Sequence, residues 1–289
     1  MTGPHRSAVY GVRSELMNDE KLEIRLLETA EQMAPIVTMF QQVWGSVIPI
    51  VGVELLRAIG HGGGYVAGAF DSGHIVGASF GFLARHDGDD ALHSHVTGIL
   101  PGVQRSGVGR AMKNHQRAWA ADQGLKWITW TFDPLVRRNA WFNIEVLRAH
   151  VAEYLIDFYG PMTDSINARD ESDRLMVAWP TDPTATIDTT IPDVDAIEVP
   201  TPEDIVVIRR TDRDAARDWR LRVREELGAR MHRGAVVTGF TRDGAYIVYS
   251  GEAAIKEGEA AIKEGEAAIK QGEAAIEHGE AAIKEGEDA

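Results

Sequence analysis

From Leu92 to Leu100 the chain alternates polar and apolar residues and then runs apolar, which predicts a strand ended by Pro101. Gln104 to Gly109 follow with two glycines one residue apart. Beyond Arg110, Met112, Ala118, Trp119 and Ala121 stand among polar residues at helical spacing. The central unit is therefore strand, glycine turn, helix. Upstream, Leu22 to Glu28 alternates as a strand, and Thr29 is placed to cap a helix over 30–44 with Met33, Val37, Phe40 and Trp44 on one face. A second helix is expected from Val51 to Ile59, stopped by the run from His61 to Gly64. Strands over 65–70 and 74–85 are joined by the turn Asp71-Ser-Gly73.

Downstream, Lys126 to Phe132 reads as a buried strand, Arg137 to Arg148 as a helix, and Val151 to Tyr159 and Leu175 to Trp179 as the last strands of the body. Strand, helix, strand with short turns implies a parallel pair crossed by its helix. Residues 181–204 are rich in Pro, Thr and Asp and read as a linker. Residues 205–250 form an appendix: a helix from Asp212 to Met231 with Ala215, Trp219, Val223 and Leu227 on one stripe, then a hairpin turning at Arg242-Asp-Gly244. One helix and one hairpin make too small a core to stand alone, so the appendix is expected to pack on the body or on a second copy in a homodimer.

Two terminal segments lack such patterning. Residues 1–21 mix Gly, Pro, His and charge and read as a loose arm. From Gly251 the unit Gly-Glu-Ala-Ala-Ile-Lys-Glu repeats with a period of seven. Its Glu-to-Lys pairs four apart each support a helix by about 0.2–0.5 kcal/mol, while the glycine in each unit opposes it by about 0.8–1.0 kcal/mol. A solvated tail, marginally helical or disordered, is the expectation.

Composition narrows the functional classes. A hydrophobic share of 44% over 289 residues supports a sizeable core. The net charge of −14 argues against a nucleic-acid partner, which would need clustered Lys and Arg. Half of that charge lies in the tail, where eleven acids face four lysines, so the body is only mildly acidic. The chain has no cysteine, which removes disulfides, thiolate metal sites and thiol nucleophiles together. No apolar run approaches the roughly 20 residues that cross a bilayer, and Met1 to Glu20 holds no secretory apolar stretch. A cytoplasmic protein without a membrane partner is expected. The ten histidines show no metal-ligand spacing, so no metal is implied.

A strand running through a glycine turn into a helix aims unpaired N–H groups and the positive end of the helix dipole at one point, which suits a diphosphate. The dinucleotide fingerprint is excluded by Met112, where it needs a small residue, and a Walker loop by the lack of Gly-Lys-Ser/Thr. Gln104-Arg-Ser-Gly107-Val-Gly109 instead fits Q/R-x-x-G-x-G/A, and resembles motif A of the GNAT N-acetyltransferase superfamily. The runs Ser94 to Pro101, Trp130 to Pro134, Asn139 to Asn143 and Ser172 to Trp179 look, in that order, like an uncharacterised branch of it. The resemblance spans about residues 22–250. It implies an α/β (α+β) acyl-CoA acyltransferase fold over 22–180, a mixed sheet with two splayed parallel strands, and acetyl-CoA as co-substrate.

The resemblance also assigns residues. Arg105, Ser106, Gly107, Val108, Gly109 and Arg110 would cradle the coenzyme diphosphate with Gln104, the strand edge at Thr97, Ile99 and Leu100 would accept the pantetheine arm, and Thr131, Asp133 and Asn139 would line the thioester end. Asn139 reads equally well as a helix N-cap. For the base that takes the ammonium proton, His93 and His95 lie two apart on one strand and so share a face. The tyrosine that serves as acid in many relatives is missing, since its register holds Ile144 or Val146. Tyr154 and Tyr159 lie further on and are the substitutes. Asp173 and Arg174 read as a structural ion pair. The functional expectation is an N-acetyltransferase acting on a small-molecule or peptide amine by direct attack in a ternary complex. The alternative is a non-catalytic acyl-CoA-binding or assembly module of the same fold.

Overall fold

The computed structural model describes residues 22–104, 107–160, 170–185 and 196–250. The terminal arm and the repeat tail lie outside them. Strand β1 (Leu22–Leu26) leads to helix α1 (Ala30–Trp44), where Thr29 accepts from the Gln32 N–H and the Gln32 side chain returns to the Thr29 N–H, a complete capping box. Helix α2 (Val53–His61) and strands β2 (Tyr65–Asp71), β3 (His74–His86) and β4 (Asp89–Ile99) follow. Next come α3 (Val108–Asp122), β5 (Trp127–Phe132), the short α4 (Arg137–Ala140) continued by a π-helical stretch (Trp141–Val146), β6 (His150–Leu155) and β7 (Arg174–Pro180). The strand expected to reach Tyr159 stops at Leu155, because Asp157, at φ 42°, turns the chain.

The sheet order is β1-β2-β3-β4-β5-β7-β6, with β4–β5 its parallel pair and the other pairs antiparallel. Helix α3 covers one face through Met112 and Trp119. Helices α1 and α2 cover part of the other through Met33, Phe40 and Leu56, packed on Val66, Ala78 and Phe80. The parallel pair holds for only three rungs, ending at His93 opposite Thr129. Beyond that rung Ser94 to Ile99 stays paired with β3 alone, and Trp130 to Phe132 with β7 alone. The two central strands thus open into a V.

A β-bulge stands at the vertex. Gly81 of β3 opposes Ser94 and Phe80 opposes Val96, leaving His95 as the extra residue. A Cβ at position 81 would stand 2.6 Å from the His93 carbonyl oxygen, so the backbone can crowd here only against glycine.

The second sheet, β8 (Ile197–Pro200), β10 (Ala245–Tyr249) and β9 (Val236–Phe240), packs on the body with α5 (Ile205–Thr211), α6 (Arg213–Val223), a π-helical stretch (Arg224–Gly228) and α7 (Ala229–His232). Leu227, Tyr246 and Val248 share one apolar core with Trp130 and Leu175 of the body. The helical stripe differs from expectation: Ala216, Arg220, Val223 and Leu227 are buried, while Ala215 and Trp219 sit partly outside. The reason is a buried charge. Arg209 and Arg220 grip Asp133 at 2.5 and 2.9 Å and Asp170 at 2.9 and 2.8 Å, which rotates the charged Arg220 inward. The tail of the expected linker is itself a strand, β8.

Candidate active site

The vertex of the V carries different chemistry on its two faces. On the face opposite α3, His93 Nδ1 and Thr129 Oγ1 lie 3.1 Å apart across the last rung. The two imidazoles stay on one face, their ring centres 6.1 Å apart. His95, lifted by the bulge, is exposed, and among the described residues no side chain bonds its nitrogens. Tyr159 arrives from the turn after β6, its hydroxyl 3.1 Å from Thr131 Oγ1 on β5 and its ring 6.3 Å from His95. Burial pulls the His93 pKa down to about 4, helped by the positive fields of His95 and Lys113, and burial lowers that of His95 as well. Both rings are therefore neutral at neutral pH.

On the α3 face the vertex holds a residue that sequence reasoning missed. Lys113 is buried, donates to Ser94 Oγ at 2.9 Å and Gln116 Oε1 at 3.2 Å, and sits 3.8 Å from the Trp130 ring centre. Ser94 and Trp130 are the first residues past the last rung of each strand. No carboxylate among the described residues pairs with Lys113, and desolvation lowers its amine to about 7. The sequence held a faint sign of this, since Lys113 lies three residues before Gln116 and seven before Ala120, inside the inward stripe of α3. The polar seam continues from Gln116 Nε2 to Ser79 Oγ and on to Thr97 Oγ1. Trp130 Nε1 donates to Asn143 Oδ1 in the π-helical stretch.

The turn between β4 and α3 has the features an anion needs. Gly107 caps α3 in the left-handed region at φ 89°, no side chain among the described residues caps the helix, and its first turn holds no acid. Val108 is buried beneath and Arg110 is exposed. A Cβ at Gly109 would meet Phe142 at 3.8 Å and Ile99 at 4.0 Å, ordinary contact without crowding. Gln104 is tied back to the Ile99 carbonyl, and Leu100 N–H to the Val76 carbonyl. Arg105 and Ser106 lie outside the described residues. Thr97 and Ile99 belong to the stretch of β4 whose β5 side is unpaired, an edge able to bond an extended ligand.

Several expected site residues are occupied elsewhere. Tyr154 is buried and donates to Asp173 Oδ2 at 2.8 Å; burial and that carboxylate raise its pKa, which removes it as a proton donor. Asp133 cannot line a thioester, because burial would raise its pKa yet the Arg220 and Arg209 guanidiniums outweigh burial and consume both oxygens. Asn139 is no N-cap: it lies inside α4, half-buried, and Val136 takes the cap position. Asp173 pairs with Arg224 at 2.7 Å, whereas Arg174 donates to the Asp173 backbone carbonyl. Among the described residues no helix is long and apolar enough to cross a membrane, and no group of three or more His, Asp or Glu could hold a metal ion.

A seven-stranded sheet with one parallel pair, splayed after three rungs and linked by a glycine turn and helix, decides the architecture. This is the arrangement that the resemblance to the GNAT acyltransferases implies. By sequence, no family profile and no curated protein matches the chain. Among solved structures it is similar to the ribosomal-protein-S18-alanine N-acetyltransferase from Escherichia coli, with 15% identity over 58% of this chain and 98% of that one and a TM-score of 0.45. It is similar to a putative acetyltransferase from Salmonella typhimurium solved with acetyl-CoA, with 15% identity, 59% and 99% coverage and a TM-score of 0.46. An aminoglycoside acetyltransferase from an uncultured soil metagenomic sample, in complex with sisomicin, matches at 17% identity over 40% and 80%, with a TM-score of 0.37.

Proposed function

We propose that this GNAT-fold protein is an N-acetyltransferase that carries an acetyl group from acetyl-CoA to a primary amine in a ternary complex. The observation that carries this reading is the convergence of His95, Tyr159 and Thr131 at the vertex where β4 and β5 part. Acetyl-CoA supplies an acyl group activated as a thioester. The uncapped α3 terminus at Gly107 to Arg110 suits its diphosphate, and the unpaired edge from Ser94 to Ile99 its extended arm. His95, neutral and without a side-chain partner at its nitrogens among the described residues, takes a proton from the acceptor ammonium. The Tyr159 hydroxyl, beside Thr131 and His95, gives a proton to the departing thiolate. Attack is direct, since the chain has no cysteine to hold an acyl group.

The test is release of free coenzyme A thiol with a panel of primary amines, together with the mass gain of one acetyl group on the amine. His95→Gln is expected to lower the rate by about 100-fold or more while leaving acetyl-CoA binding unchanged. Acetyl-CoA binding without acetylation of any amine in the panel would reject the catalytic reading.

A further inference from the structure

Among the described residues only three Phe, Tyr or Trp rings are exposed: Phe82 at 41%, Phe158 at 48% and Tyr159 at 41%. All three gather at the vertex histidines. Phe82 lies 5.2 Å from His93 and 5.6 Å from His95, ring centre to ring centre; His95 lies 6.3 Å from Tyr159, and Tyr159 lies 4.7 Å from Phe158. The five rings make one continuous ledge. Single exposed apolar side chains are ordinary on a protein surface, but exposed aromatic rings collected at one cleft mark a binding site.

The ledge is a part of the sheet that α1 leaves bare. Phe40 of α1 reaches Phe80, 6.1 Å away between ring centres, and the next residue of β3 on that face is Phe82. The ledge then runs across the vertex to Tyr159, bonded to Thr131 at the mouth of the V. Its charge is as telling as its shape. Both imidazoles are neutral, and Asp157, the acid beside Phe158, is turned back to bond Ser172. The nearby cation, Arg174, lies 5.4 Å from the Tyr159 ring centre. A polycation would find no counter-charge on these rings. A single ammonium next to His95 would find the faces of Phe82 and Tyr159, and an attached aromatic ring would stack along the ledge.

We propose that Phe82, His93, His95, Tyr159 and Phe158 form the acceptor subsite, and that the acceptor is a small arylalkylamine: one primary amine on a short arm from an aromatic ring. The assignment rests on the reading of this site as an amine-acetylating centre, and its test separates the two. Binding of phenethylamine, hexylamine and spermidine to the full chain is measured by calorimetry without acetyl-CoA, and then acetylation of each with it. Phenethylamine is expected to bind about tenfold or more tighter than hexylamine, with spermidine weakest. Phe82→Ala and Phe158→Ala, both at exposed positions and outside the proton-transfer machinery, are expected to erase that preference while thermal unfolding stays as it was. Phenethylamine that binds preferentially but is not acetylated would uphold the ledge and reject the acetyltransferase reading. Equal binding of phenethylamine and hexylamine, tighter binding of spermidine, or a preference untouched by both variants would overturn the ledge, even if other amines are acetylated.

Discussion

His93 Nδ1 lies 3.1 Å from Thr129 Oγ1, and this side-chain bond closes the last rung that β4 and β5 share. It fixes the imidazole that the parting strands leave behind, while His95, the bulge residue two positions further on, has no side-chain partner among the described residues. The two histidines should therefore separate in mutants. Thr129→Val leaves a largely buried ring nitrogen without its partner and is expected to cost about 1–3 kcal/mol of stability with a modest loss of rate. His95→Gln is expected to do the reverse, keeping the denaturation midpoint and losing acetyl transfer. Paired urea titrations and thiol-release rates check both.

The two tyrosines near the end of β6 have different duties. Tyr159→Phe is expected to slow acetyl transfer, with the greatest loss for acyl donors whose thiol leaves poorly, and to leave stability alone. Tyr154→Phe removes a buried bond to Asp173 and is expected to cost about 0.5–1.5 kcal/mol of stability at unchanged rate per folded molecule. A comparison of acetyl donors with different thiol leaving groups reads the first, and chemical denaturation the second.

Asp133 joins the appendix to the loop after β5. It receives Arg209 and Arg220, guanidiniums only 2% and 1% exposed, and Asp133→Asn would leave them short of a counter-charge in the core. The expected cost is about 3–5 kcal/mol, read as a lowered urea midpoint, with the α5–α6 region losing hydrogen-exchange protection first.

Lys113 gives stability a pH dependence with a definite sign. Burial lowers its amine from 10.5 to about 7 in the folded protein. Between those values the unfolded chain holds a proton that the folded one lacks, so folding stability rises with pH across that window and levels off below it, by at most about 1.4 kcal/mol per pH unit. Lys113→Met is expected to flatten this slope. Denaturation midpoints of both proteins measured across the window test it, and an unchanged slope in the variant would exclude Lys113 as its source.

Much of the fold was legible from local pattern. The first helix begins and ends at the expected residues because Thr29 and Gln32 form its cap and Gly45 its left-handed end, all interactions within a few positions along the chain. The glycine turn before α3 was legible for the same reason. What stayed hidden depends on partners far apart in sequence. The bulge that lifts His95 stands where Gly81, lacking a Cβ, lets the His93 backbone of the neighbouring strand approach closely. Asp133 looked like a site residue until Arg209 and Arg220, some eighty positions later, claimed it. Lys113 stood unnamed among the polar residues of its helix, because its neighbours Ser94 and Trp130 come from two other strands. The apolar stripe expected through Ala215 and Trp219 shifted by one residue for the same cause, since an ion pair outweighed the periodicity that predicts a helical face.

Calorimetric titration of acetyl-CoA into the full chain and into Gly107→Glu tests the central claim most directly. Gly107 holds φ 89° at the uncapped start of α3, so a carboxylate there would meet the bound diphosphate with like charge on a strained backbone. Saturable binding of one equivalent of acetyl-CoA by the native chain is expected, with its loss in a variant that still folds by circular dichroism. Absence of binding by the native chain, or equal binding by both, would contradict it.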